Sequence, residues 1–154
     1  MKILVLSDSH KQLDPMLNAI SLESPDLILH LGDNNKDCDA IEDEYPEITL
    51  RSIRGNCDYS FSGLVIDEFE LEGKRFFMTH GHTFSVKTGT SKLIKTALEQ
   101  GADVLLFGHT HIQHYSVVES MTVVNPGSIG LGKAYAVLEI KNGDVLCELK
   151  LLDR

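Results

Sequence analysis

Five short strand-like runs in this chain each lead into a segment that carries aspartate, asparagine or histidine, usually beside glycine. Ile3 to Leu6 precedes Asp8-Ser9-His10, and Leu27 to Leu31 precedes Gly32-Asp33. Ile48 to Ile53 precedes Gly55-Asn56, Arg75 to Thr79 precedes His80-Gly81-His82, and Val104 to Phe107 precedes Gly108-His109-Thr110-His111. Apolar runs of this length, bounded by turn-forming residues, read as strands. The pattern therefore sends polar side chains from successive strand ends to one edge of a sheet.

The intervening segments alternate with these strands in the first half. Asp14-Pro15 reads as an N-cap followed by proline at the first helical position, with the helix running to about Glu23 and stopping at Ser24-Pro25-Asp26. A second helix is expected over Asp37 to Tyr45, its first turn acidic as the helix dipole prefers. The second half is richer in strands: Leu64 to Leu71 and Arg75 to Thr79 as a hairpin, then His114 to Val118, Thr122 to Val124, Ala134 to Ile140 and Val145 to Leu151, the last two joined at Asn142-Gly143. Ser91 to Gln100 reads as a helix closed by Gly101. Strands that are apolar almost throughout need cover on both faces. The expected class is α/β, a four-layer α/β/β/α sandwich of two mixed sheets flanked by helices. At 154 residues, one domain spanning 1–154 is expected.

The polar groups arrive in a chemically suggestive order: carboxylate with imidazole, carboxylate, amide, imidazole, then paired imidazoles. Such a series suits two metal ions, because a carboxylate can hold two cations while lowering their repulsion and a neutral amide oxygen adds a ligand without adding charge. The set contains imidazole and oxygen but no thiolate, which favours manganese first, with iron, nickel, cobalt or zinc as alternatives. It is too rich in nitrogen for calcium or magnesium. His109 and His111 lie two positions apart, so in an extended segment both rings face the same side.

This ordered series resembles the calcineurin-like metallophosphoesterase superfamily, and the short chain is similar to its small single-domain branch, the YfcE-type phosphodiesterases. The segment Asn125-Pro126-Gly127-Ser128 also resembles that branch. The resemblance implies that Asp8, His10 and His111 hold one divalent transition-metal ion, that Asn56, His80 and His109 hold a second, and that Asp33 bridges both. It makes Asp33, Asn56 and His80 the catalytic group. The implied reaction is hydrolysis of phosphate diesters by attack of a metal-bridging hydroxide on phosphorus. Many larger members carry histidine where this chain has Cys57, a position that either faces the leaving oxygen or packs beneath its loop.

Composition bounds the partners. A formal charge of -9 argues against a broad basic surface for nucleic acid or anionic lipid, whereas a dimetal centre would form a local anion trap for a small phosphorylated substrate. Cys38, Cys57 and Cys147 lack Cys-x-x-Cys spacing, which favours a reducing cytoplasm over a disulfide framework. The run after Met1 is too short for a secretory or membrane segment. A homo-oligomer is compatible with the sequence. The alternative function is a non-catalytic scaffold or protein-interaction module on the same fold, as in the retromer subunit that resembles this family with an altered site. A metallo-β-lactamase-type hydrolase would need His-x-His-x-Asp-His, which is absent.

Other residues have weaker assignments. His82 is a candidate to face substrate, His30 is expected buried and hydrogen-bonded, and His114 is expected at the surface. Arg54 and Lys87 are placed in carboxylate pairs ahead of phosphate contacts. Asp58 is read either as a partner orienting Asn56 or His80 or as a loop cap. Gly32, Gly55, Gly81 and Gly108 are expected to supply unusual dihedrals in tight turns.

Overall fold

The computed structural model describes residues 1–59 and 63–153. Its strands are β1 (Lys2–Leu6), β2 (Leu27–His30), β3 (Thr49–Ser52), β4 (Ile66–Leu71), β5 (Lys74–Thr79), β6 (Val104–Leu106), β7 (His114–Val118), β8 (Met121–Asn125), β9 (Ala134–Lys141) and β10 (Asp144–Leu151). The helices are α1 (Leu13–Glu23), α2 (Lys36–Glu44), α3 (Ser91–Glu99) and the one-turn α4 (Ile129–Gly132), with a 3-10 turn at His82–Phe84. One sheet has the order β10-β9-β1-β2-β3 and the other β4-β5-β6-β8-β7. Strands β1, β2 and β3 run parallel, as do β5, β6 and β8, while β9, β10, β4 and β7 pair antiparallel with their neighbours.

Side-chain alternation divides the core into three apolar layers. Ile3 and Val5 of β1 join Leu27, Leu29, Phe76, Met78, Val104, Leu106 and Leu138 between the sheets. Their neighbours Leu4 and Leu6 point the other way, onto Met16, Ala19 and Ile20 of α1 and Ile41 of α2. Phe77, Leu105 and Val123 cover the outer face of the second sheet with Leu93 and Ala97 of α3. These are the four layers that two-faced apolar strands require. Burying each large aliphatic side chain contributes roughly 1.5 to 3 kcal/mol, so the central strands, which are buried on both faces, form a stiff platform for the loops at their ends.

Hairpin geometry follows local sequence closely. Asn142 and Gly143 both adopt positive φ, 52° and 81°, while Lys141 pairs with Asp144, the geometry of a two-residue turn matched to strand twist. Gly101 has a φ of 73° just beyond α3, where its amide and that of Ala102 return to carbonyls of the last turn.

Several boundaries differ from expectation. α1 begins at Leu13 with Gln12 in the cap position and no side-chain cap, so Asp14 and Pro15 lie inside the first turn. Proline is tolerated there because those amides have no intrahelical partner. α2 begins one residue earlier than expected, at Lys36, and β4 begins at Ile66 instead of Leu64. The 3-10 turn and α4 are too short to show periodicity in sequence. The C-terminal end of α1 is fastened to the sheet by Glu23, whose Oε1 accepts from Tyr135 Oη at 2.8 Å and Lys150 Nζ at 2.9 Å. Among the described residues, no helix is long and apolar enough to cross a membrane.

Candidate metal centre

The carboxyl ends of β1, β2, β3, β5 and β6 lie together, three from one sheet and two from the other. The expected single sheet edge is therefore two edges meeting face to face. β1 leads to Asp8 and His10, β2 to Asp33, β3 to Asn56, β5 to His80, and β6 to His109 and His111. Asp8 and His111, separated by 103 positions in sequence, approach to 3.2 Å between Oδ1 and Nε2.

Two triads draw on six of the seven anticipated ligands. Asp8, His10 and His111 form one, and Asp33, His80 and His109 the other, with donor atoms in each within 4.8 Å of one another. The triads adjoin: Asp33 Oδ2 lies 3.3 Å from His80 Nε2 and 3.8 Å from His10 Nε2. Asp8 Oδ1 lies 3.7 Å from His80 Nε2. Asn56, on the loop after β3, is exposed, with its amide nitrogen 3.6 Å from Cys57 Sγ.

Each carboxylate has one oxygen engaged by protein and one facing the imidazoles. Asp8 Oδ2 accepts from Ser7 Oγ at 2.6 Å and from the His109 amide at 3.2 Å, while Oδ1 faces His111. Asp33 Oδ1 accepts from the Cys57 amide at 2.9 Å, while Oδ2 faces His80 and His10. The Nδ1 of His80 lies 2.8 Å from the Leu31 carbonyl, which can only accept, so a proton sits there and Nε2 presents its lone pair inward. Nε2 meets His109 Nδ1 at 3.2 Å and the two carboxylates. Lone pairs that converge this closely repel unless a cation lies among them. The donor chemistry thus fits divalent ions, with no thiolate required.

Electrostatics reflect the same crowding. Burial would raise the Asp33 carboxyl, but hydrogen bonding and charge from His80, with the Cys57 amide, hold it well below the ordinary range. Burial opposes protonation of His80, yet Asp33 and Asp8 raise its pKa above the usual imidazole value. His109 falls to about 4 through burial and the nearby positive charges of His80 and Lys87.

Loops around the centre are locked by Asp58, Asn125 and Ser128. Asp58 is buried and accepts backbone amides of Asp33, Asn34, Asn35 and Gly55 at 2.8 to 2.9 Å. Of its two expected roles it therefore takes that of a loop cap, holding the Asp33 loop through backbone amides, not the side chains of Asn56 or His80. Asn125, fully buried at the end of β8, donates to the Gly108 carbonyl and Thr110 Oγ1, fixing the paired-histidine loop. Ser128 donates to the Asp8 carbonyl at 2.8 Å and caps α4. The Asn-Pro-Gly-Ser segment had marked this region, whereas Ser7 offered no signal beyond its position.

Unusual dihedrals fall on five of the candidate ligands themselves. Asp8, His10, Asp33, His109 and His111 have φ values of 55°, 45°, 64°, 70° and 61°. Non-glycine residues seldom occupy this left-handed region, and its cost of about 1 to 3 kcal/mol each is characteristic of functional sites. Gly32 and Gly81 also have positive φ, but Gly55 and Gly108 do not. Gly55 is required by close approach, since a Cβ there would strike the Asp33 carboxylate.

The remaining candidates separate clearly. His30 is buried and hydrogen-bonded, receiving the Gly32 amide at Nδ1 and meeting Ser9 Oγ through Nε2. His114 is exposed on β7 and bonds Ser116. His82 lies beside the centre, its ring 5.5 Å from that of His80, with Nδ1 lacking a hydrogen-bond partner among the described residues. Arg54 and Lys87 form no ion pair within 4.0 Å among the described residues, against the expectation of carboxylate partners. Their charges reach His82 and His109 respectively. Cys57 is exposed instead of packed beneath its loop, and its Sγ lies within 4.8 Å of donor atoms of His10 and Asp33.

The family model for the calcineurin-like phosphoesterase superfamily domain matches residues 1–143. The chain is 34% identical to the probable metallophosphoesterase YsnB of Bacillus subtilis over 92% of this chain and 86% of that protein. It is 30% identical to a phosphodiesterase of Methanocaldococcus jannaschii over 82% of this chain and 83% of that protein. The crystal structure of a conserved Streptococcus pneumoniae protein, described as a predicted phosphoesterase, superposes with a TM-score of 0.82 and 26% identity, covering 96% of this chain and 87% of that one.

Proposed function

The chain belongs to the calcineurin-like phosphoesterase superfamily, and we propose that residues 1–154 form a single domain hydrolysing phosphate diesters with two divalent transition-metal ions. The observation that carries this reading is the convergence of Asp8, Asp33, His10, His80, His109 and His111 from two sheets, with carboxylate oxygens and imidazole nitrogens turned toward one another. Asp8, His10 and His111 would hold one ion and His80 and His109 the other, with Asp33 between them. Asn56, at the end of β3, would join the second. When bound, such ions supply a nucleophilic hydroxide at neutral pH and neutralise charge on the phosphoryl oxygens. Manganese is the first choice.

The protein's own part is positioning. Ser7, the His109 amide and the Cys57 amide each occupy one carboxylate oxygen and thereby aim the other. The Leu31 carbonyl fixes the His80 tautomer, as outer partners of metal-binding histidines do. His10 and His111 are partly exposed, leaving one side of the centre open to a small phosphate ester. The three free cysteines are consistent with work in a reducing cytoplasm.

Retention of Asp33 and of Asn56 favours catalysis over a purely scaffolding role. The test is metal analysis of the purified protein with turnover of bis(p-nitrophenyl) phosphate, beside Asp33→Ala. Two ions per chain with diesterase activity, both lost in a folded Asp33→Ala, is the expected result. Full turnover and two ions in that variant would overturn the assignment.

A further inference from the structure

Besides the two triads, the centre holds a third cluster of donors. Cys57 Sγ, a ring nitrogen of His10 and a carboxylate oxygen of Asp33 lie within 4.8 Å of one another, the same spacing that gathers each of the other groups. Among the described residues no other cysteine belongs to such a cluster. Cys38 is buried on α2, and Cys147 is half-buried on β10.

Cys57 is held at its backbone and free at its side chain. Its amide donates to Asp33 Oδ1 at 2.9 Å, and the next residue, Asp58, is anchored by four backbone amides. The side chain is exposed, with Sγ 3.6 Å from the amide nitrogen of Asn56. Metal bonds of about 2.0 to 2.3 Å place tetrahedral donors about 3.3 to 3.6 Å apart. Rotation of the exposed thiol about one side-chain torsion supplies the closure that the cluster needs.

The donors decide which ion would use this cluster and at what expense. Sulfur favours zinc and the chemically similar cadmium, whereas manganese gains little from it. A neutral imidazole has one lone pair. His10 can therefore serve the ion beside Asp8 and His111 or an ion beside Cys57, but not both at once.

We propose that Cys57, His10 and Asp33 form an alternative site for one thiophilic divalent ion of the zinc and cadmium class, and that filling it withdraws His10 from the Asp8 and His111 position and so arrests the enzyme. The effect on turnover rests on the two-ion phosphodiesterase reading, while the bond from sulfur to metal does not. On binding, the thiol proton passes to solvent and the sulfur lone pair forms the metal bond, a proton that a divalent ion displaces outright. The charge of Asp33 opposes an isolated thiolate, but with a cation between them both anions share it.

Cadmium titrated into the manganese-loaded protein tests this, with ultraviolet absorbance reporting sulfur bound to cadmium and electron paramagnetic resonance reporting free manganese. The charge-transfer band should grow in step with manganese release and with loss of bis(p-nitrophenyl) phosphate hydrolysis. In Cys57→Ser the band should be absent, and the cadmium concentration that releases manganese should rise at least about tenfold, since loss of even an outer partner of a metal site costs that much. Cys147→Ser should keep both responses. A band that survives Cys57→Ser, or one that grows while all manganese is retained, would overturn the proposal. Diesterase activity without any band counts against the alternative site alone. A Cys57-dependent band in a protein without diesterase activity counts against the catalytic reading and leaves the cadmium site standing.

Discussion

The Asp58 carboxylate accepts the backbone amide of Asp33 at 2.9 Å and, through its two oxygens, three further amides of the loops after β2 and β3. Asp33 is thereby aimed by a residue outside the candidate ligand set. Asp58→Ala should lower metal affinity about 10- to 100-fold, as loss of such outer support does. It should also reduce stability by about 3 kcal/mol, because buried amides lose their acceptor. Metal titration followed by calorimetry, with denaturant unfolding of the ion-free protein, measures the two effects. Unchanged affinity in a folded variant would reduce Asp58 to a loop cap.

His109 and His111 are expected to serve different ions. His109 Nδ1 meets His80 and His111 Nε2 meets Asp8, so one ring belongs to each triad. The reason differs from simple alternation along an extended segment, since both residues have positive φ. Each single change to alanine should leave one ion bound per chain, and a manganese-soaked crystal should show one ring on each ion. Both rings on the same ion would refute the division.

Cys57 sets a prediction about substrates. Partial desolvation by the neighbouring loops, followed by the charge of Asp33, pushes the thiol of this exposed residue above the usual range, so it is a poor proton donor to a leaving oxygen. Rates should fall steeply as the leaving-group pKa rises, with aryl diesters preferred and alkyl monoesters poor. Cys57→His should flatten that dependence if the new ring reaches the leaving oxygen, while Cys57→Ser should change little. A flat dependence in the unmodified enzyme would transfer the donor role elsewhere, with His82 beside the centre as the first residue to replace.

Glu23 gives a pH-dependent stability prediction away from the centre. Burial would raise its carboxyl, but Lys150, Tyr135 and Lys2 together hold it below the ordinary value of 4.5. A depressed carboxyl stabilises the fold above its unfolded value, and that contribution fades as pH falls through the lower folded value. Glu23→Gln should therefore cost about 2 kcal/mol at pH 7, and the difference from the unmodified protein should shrink below pH 4.5. Urea midpoints across pH 3 to 7 measure it. A difference constant with pH would assign the effect to hydrogen bonding alone.

Local sequence determined the elements and most of the candidate ligands, because both leave short-range marks. Two-faced apolar runs specify central strands, Asn142-Gly143 specifies its turn, and acidic or imidazole side chains at strand ends announce themselves without any tertiary contact. The motif order also carried the family. Only the tertiary structure decided what depends on distance: that the strand ends belong to two sheets, that Asp8 meets His111, and that Asp58 serves the Asp33 amide. It also decided which residues bear the backbone strain. Positive φ at Asp8, His10, Asp33, His109 and His111 has no local signature, since none of these side chains prefers it over ordinary conformations. Hydrogen bonds from Ser7, Asn125 and Ser128 hold the loops that contain Asp8, His109 and His111.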